Sequence, residues 1–119
     1  MDYLEKLAYL EENSPNAQEA AGKMRIWLTE VQGIGFLCFK NISGEKFKLN
    51  VDVPSPQNLK VLPPCGTKNV LELAPGETKS VRGKLLDVQQ GFNFRQQISF
   101  SQWSSYHIYN QKIFKLLSK

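Results

Sequence analysis

Two stretches of this chain alternate apolar and polar residues with a period of two, and no other feature constrains the fold as tightly. In FKLNVDV, Phe47, Leu49, Val51 and Val53 alternate with more polar positions. In FNFRQQISFS, Phe92, Phe94, Gln96, Ile98 and Phe100 fall on one side, with Asn93, Arg95, Gln97, Ser99 and Ser101 on the other. Successive strand side chains point to opposite faces, so each stretch reads as a half-buried strand whose apolar face needs a second layer over it. The expected fold is therefore mainly β: an Ig-like or C2-like antiparallel β-sandwich. A length of 119 residues suits one compact core.

Further strands follow from local signals. GFLCFK suits a largely buried strand, and NISGEK turns it into FKLNVDV as an expected hairpin. Pro54 and Pro56 interrupt the ladder because neither donates an amide. NLKVL offers a short strand and Pro63-Pro64-Cys65-Gly66 a loop. Leu71 and Leu73 alternate ahead of Ala74-Pro75-Gly76-Glu77, whose proline and glycine suit the two central positions of a type II turn, and Val81 and Leu85 belong to the returning strand.

The start of the chain reads differently. DYLEKLAYLEE, residues 2–12, is rich in helix formers and sets Leu4, Leu7 and Ala8 near one face. Ser14-Pro15 resembles an N-cap followed by proline at the first helical position, and Ala20, Met24, Trp27 and Val31 make one apolar stripe, with Gly33 as the stop. The expectation is a helical N-terminal element over residues 1–33, packed through Trp27 on a β-sandwich over 34–119. In the terminal QWSSYHIYNQKIFKLLSK, Tyr109, Ile113, Leu116 and Leu117 fit a helical face, while Tyr106 and Ile108 also permit an edge strand.

NISGEKFKLNVDV, LELAPGETKSVRGKLL and GFNFRQQISFS together resemble the accessory β-sandwich domains of calpain-like cysteine proteases, especially divergent protist forms, over about residues 34–102. The resemblance implies a regulatory or protein-contact role, with phospholipid proximity, while hydrolysis belongs to a separate papain-like domain that this chain lacks. No cluster of acids like the acidic loop of conventional calpains is present, so calcium dependence does not carry over.

The residues themselves point away from catalysis. A cysteine protease needs an activated thiol and a placed imidazole base. Cys38 lies in an apolar run, Cys65 in a proline-rich loop, and His107 is the sole histidine, so the catalytic alternative is a thiol hydrolase pairing Cys65 with His107. Cys38, Cys65 and His107 lack the close pairs that build zinc sites, and Asp52 or Glu77 alone does not specify calcium. No cofactor or metal is expected, and the cysteines are expected as free thiols. Asn41-Ile42-Ser43 is a glycosylation sequon, but Asn41 reads first as a turn residue.

Charge is lopsided. Residues 1–30 carry six acids against three bases, a net −3, and residues 31–119 carry twelve bases against five acids, a net +7. A basic body permits attraction to anionic partners without choosing among them. For nucleic acid the candidates are Lys40, Lys46, Lys48, Lys60, Lys68, Lys79, Arg82 and Lys84, but no sequence-reading motif accompanies them, so sequence-specific binding is not expected. For an anionic phospholipid surface they are Lys46, Lys48, Lys79 and Arg82, set on one rim by the NISGEK and PGET turns. The leading expectation is a non-enzymatic module that recognises a protein partner through an exposed sheet edge or loop surface. With neither a basic leader nor an apolar run near the roughly 20 residues of a membrane span, an intracellular, cytoplasmic location is expected, with peripheral membrane contact as a variant.

Overall fold

The computed structural model describes residues 2–20 and 22–100. The expected terminal strand or helix, and His107 with it, lies outside the described residues. Helix α1 (Tyr3–Tyr9) is followed by strands β1 (Gln18–Ala20), β2 (Met24–Val31), β3 (Ile34–Asn41), β4 (Phe47–Asp52), β5 (Leu59–Val61), β6 (Lys68–Leu73), β7 (Thr78–Leu85) and β8 (Gln97–Phe100). They form a sheet ordered β1-β2-β3-β7-β5 and a smaller one ordered β6-β4-β8, with antiparallel neighbours throughout. The protein is thus a mainly β, two-sheet sandwich with a short N-terminal helix.

The period-two reading places the inner faces correctly. Phe47, Leu49, Val51 and Val53 of the small sheet meet Met24, Ile26, Leu37, Phe39, Val81 and Leu85 of the large one in a core cluster that excludes water. Each large apolar side chain buried there contributes about 1.5–3 kcal/mol before conformational entropy is charged against it. Phe94, Gln96 and Ile98 are also buried, two residues apart. The strand nevertheless begins only at Gln97, because Arg95 is in the left-handed region (φ 47°), where its N–H donates to Asn93 Oδ1 at 2.7 Å. Asn93, expected on the outer side, is buried and bridges to Gln57.

Residues 14–20 and 22–31 do not form the expected second helix. Ser14 and Pro15 belong to a turn in which the Ala17 N–H reaches the Ser14 carbonyl, and the stripe residues Ala20, Met24, Trp27 and Val31 sit on strands β1 and β2. Both faces of β2 are covered, so its apolar residues run nearly continuously and blur the period that separates strand from helix. Met24 and Ile26 enter the inter-sheet core, while Trp27 and Val31 join Phe36, Cys38, Ala8 and Leu4 in a second cluster beneath α1. Gly33 is not a helix stop. Gln32 (φ 50°) and Gly33 (φ 81°) are the two central residues of the β2–β3 hairpin, and Val31 pairs with Ile34. Two positive φ angles identify the type I′ turn, whose twist matches its flanking strands.

A second difference concerns pairing. NISGEK reverses the chain but does not close a hairpin: β3 is held between β2 and β7, and β4 crosses into the other sheet. Ala74-Pro75-Gly76-Glu77 is a type II turn as expected, with Glu77 N–H to the Ala74 carbonyl at 2.9 Å and Gly76 at φ 79°, yet it too carries the chain between sheets. Asn41 fastens both crossings. Its Nδ2 donates to the carbonyls of Glu45 (2.7 Å) and Leu73 (2.9 Å), and its Oδ1 accepts from Ser43 N–H and Oγ.

Candidate functional site

The crossings leave one mouth of the sandwich open. β5 covers only the end of β7, pairing Leu59–Val61 with Gly83–Leu85. Leu62 N–H still reaches the Arg82 carbonyl at 3.1 Å, but Pro63 and Pro64 follow, and without amide hydrogens they cannot extend the ladder. The first half of β7 therefore has an open edge.

Backbone direction in that half follows from its neighbours. Asn41 N–H bonds the Glu77 carbonyl, so odd residues turn toward β3, and Thr78 and Ser80 turn away from it. The Ser80 carbonyl meets the Cys65 thiol at 4.0 Å, a weak donor. Across the mouth lies β6, an edge of the small sheet. Val53 N–H bonds the Thr67 carbonyl and Val51 pairs with Asn69, so Asn69, Leu71 and Leu73 serve β4 while Lys68, Val70 and Glu72 point N–H and C=O to the open side.

Between these edges is a cleft of about 530 Å³, with Pro64, Cys65, Leu71 and Ser80 among its lining residues and Tyr9 at its rim. Tyr9 donates its hydroxyl to Ser80 Oγ at 3.3 Å, and burial pushes its pKa up to about 12, so it stays neutral. Val70 is 63% exposed on the β6 edge. Four charged residues line the walls: Glu5, Glu77, Lys68 and Lys79. Both acids are engaged, Glu5 by the Arg82 guanidinium and Glu77 by the Ala74 N–H at 3.0 Å. Lys68 and Lys79 form no ion pair among the described residues.

The four candidate surface cations do not share one rim. Lys46 and Lys48 stand together at the small sheet, both near Glu72 (3.8 and 3.7 Å). Lys79 is at the cleft, and Arg82 is on the outer face of the large sheet. There its guanidinium stacks on the Phe36 ring at 5.0 Å and pairs with Asp2 and Glu5 of the α1 segment. Of the remaining bases, Lys40 pairs with Glu12, and Lys60 lies beside Lys84 across β5 and β7. Sequence reading counted Lys68 only among the bases and passed over Val70. The signal for the site was Pro63-Pro64, which stops β5 and uncovers β7.

Cys38 is fully buried and desolvation pushes its thiol well up, which leaves it neutral and inert. Cys65 is partly exposed at the cleft, and its proposed partner His107 lies outside the described residues. No group of three metal-ligating side chains occurs among the described residues, and no described helix is long and apolar enough to cross a membrane. In comparisons with known proteins, the chain matches no family model, no curated protein and no solved structure.

Proposed function

We propose that this chain is a non-catalytic interaction module that captures an extended segment of a partner protein on the open edge of β6. The observation that carries the reading is the row of backbone groups at Lys68, Val70 and Glu72, facing a cleft whose opposite wall is also an uncovered strand. An added strand gains affinity from main-chain hydrogen bonds and specificity from alternate side chains entering the cleft. Chain crossings between sheets after β3 and after β6 support an Ig-like or C2-like type of sandwich. A calpain-like protease is a partner class consistent with the segment resemblance alone, and an intracellular setting belongs to the same proposal.

Val70→Pro tests the reading, because proline is tolerated on an edge strand yet removes an amide that faces the open side. The probe is a short, neutral peptide of alternating threonine and valine, followed by amide NMR. Expected are shifts centred on Lys68, Val70 and Glu72 in the natural chain and their loss in Val70→Pro, with an unchanged fold in its spectrum. Binding that survives in Val70→Pro, or maps away from β6, overturns the proposal.

A further inference from the structure

We infer that the strand taken up at the β6 edge is β6 of a second copy of this chain, paired antiparallel about a two-fold axis at Val70; this rests on the edge-binding reading above and names its partner. The order of residues along the edge carries the inference. Lys68, Val70 and Glu72 turn their backbone N–H and C=O groups to the open side, and their exposed side chains share the outer face of the small sheet. Antiparallel pairing of this segment with itself, centred on Val70, sets Lys68 opposite Glu72 of the second copy, Val70 opposite its own equivalent, and Glu72 opposite Lys68 of the second copy. Each cation then meets a carboxylate, and the largely exposed valine meets an apolar equal.

The neighbours on β4 extend the match. Asp52 stands opposite Lys68 and Lys48 opposite Glu72, so across the joined sheets each row runs Asp52, Lys68, then Glu72 and Lys48 of the second copy, alternating in sign. Lys68 forms no ion pair among the described residues. Glu72 lies 3.7 Å from Lys48 and 3.8 Å from Lys46 on an exposed surface, and a carboxylate has acceptor sites for a further cation. Register follows from the same residues. Moving the centre to Asn69 puts Lys68 against Val70 and Glu72 against Gly66, and moving it to Leu71 puts Val70 against Glu72 and Lys68 against Ala74. Centring on Val70 keeps the three outward-facing residues in mutual pairs, each pair exchanging two backbone hydrogen bonds. Such a contact uses one surface twice and closes at the dimer, with the small sheets joined in the order β8-β4-β6-β6-β4-β8. The edge is short, which places the association among weak, transient contacts, and each copy covers the other's edge until a partner strand displaces it.

Sedimentation of the full chain at low salt, across about 0.01–1 mM to suit a weak interface, tests the inference. A monomer–dimer equilibrium is expected, lost in Val70→Pro. Lys68→Glu sets carboxylate against carboxylate and Glu72→Lys sets cation against cation, so each variant by itself is expected to associate at least about tenfold more weakly than the natural chain. Mixed in equal amounts, these two variants restore opposite charges in both rows and are expected to form a heterodimer, with the amide spectrum of each showing the natural fold. A chain that stays monomeric throughout, yet takes up the threonine–valine peptide at β6, overturns self-pairing and leaves the edge reading standing. Failure of both association and peptide uptake overturns both. Dimers that persist in Val70→Pro have another interface and overturn the inference, as do charge variants that each associate as tightly as the natural chain, or folded variants whose mixture forms no heterodimer.

Discussion

Asn41 shows how one side chain can hold a sandwich together without adding to its apolar core. It is fully buried, and its amide supplies partners to the carbonyls of Glu45 and Leu73 as well as to Ser43. Its backbone meets Glu77 and Gly76 at 3.0 and 2.8 Å, so the loop after β3 and the turn after β6 are locked to one residue. Replacing the side chain with a methyl strands the buried Leu73 carbonyl, while the more exposed Glu45 carbonyl keeps the Ser43 hydroxyl, and loss of a buried partner costs about 1–3 kcal/mol. Asn41→Ala is therefore expected to lose about 1–3 kcal/mol in denaturant unfolding, with Asn41→Asp no better because a carboxylate cannot donate to those carbonyls. A loss below about 0.5 kcal/mol, the level of ordinary surface substitutions, refutes this role for the amide.

Helix α1 is a seven-residue element, too short to persist by its own propensity, and its place depends on what it caps and what it covers. Asp2 accepts the Glu5 N–H at 2.7 Å and the Arg82 guanidinium at 2.8 Å, while the Trp27 indole N–H donates to the Ala8 carbonyl from the sheet beneath. The Arg82 hydrogen bond, helped by the Glu5 N–H, lowers the pKa of Asp2 below the ordinary carboxylate value. A depressed folded-state pKa means that the contribution of Asp2 is present above its ordinary value near 4 and fades as pH falls through the lower folded value. Acidification below about pH 4 is expected to loosen α1 first, read as a change in the Trp27 indole N–H resonance before the inter-sheet methyl resonances move. Simultaneous loss of both signals refutes a separately releasable helix. The same element shows what the sequence made legible. Residues 2–12 read as helix because Leu4 and Ala8 share a face, whereas residues 18–31 misled because β2 is buried on both sides and its spacing also fits a helical stripe. The decisive cue there was Gln32-Gly33 between two apolar runs, a turn signal rather than a helix end. Strand partners were less legible still, since local alternation fixes faces but says nothing about which sheet a strand joins. The β6 edge therefore became visible only once β5 was seen to stop at the two prolines.

Across the whole molecule, the charge asymmetry of the sequence becomes a structural contact. The acidic start of the chain lies over the outer face of the large sheet, where Glu12 pairs with Lys40 at 2.9 Å and Asp2 and Glu5 pair with Arg82. Arg25 adds a pair to Glu19 at 2.9 Å and donates through Nε to the Glu12 carbonyl. Asn16 reinforces the same seam by using its side-chain amide like a strand backbone, bonding both the carbonyl and the N–H of Leu28. One face of the large sheet is thus covered by opposite charge over an aromatic floor of Trp27 and Phe36, while at the mouth of the sandwich Lys68, opposite Asp52 on β4, and Lys79 form no ion pair among the described residues. Partly exposed ion pairs are each worth up to about 1 kcal/mol and are screened by salt. Raising the ionic strength from about 0.02 M to 0.5 M shortens the screening length several-fold and is expected to lower the unfolding free energy by about 1 kcal/mol. Sodium chloride is the salt for this measurement, because strongly excluded anions such as sulfate reinforce burial and mask the electrostatic change. The same shift is expected to shrink in Glu12→Gln, which removes the Lys40 pair while leaving the cleft lysines in place. Stability that is constant or rises over this range refutes electrostatic anchoring of the N-terminal segment and assigns its attachment to the apolar floor alone.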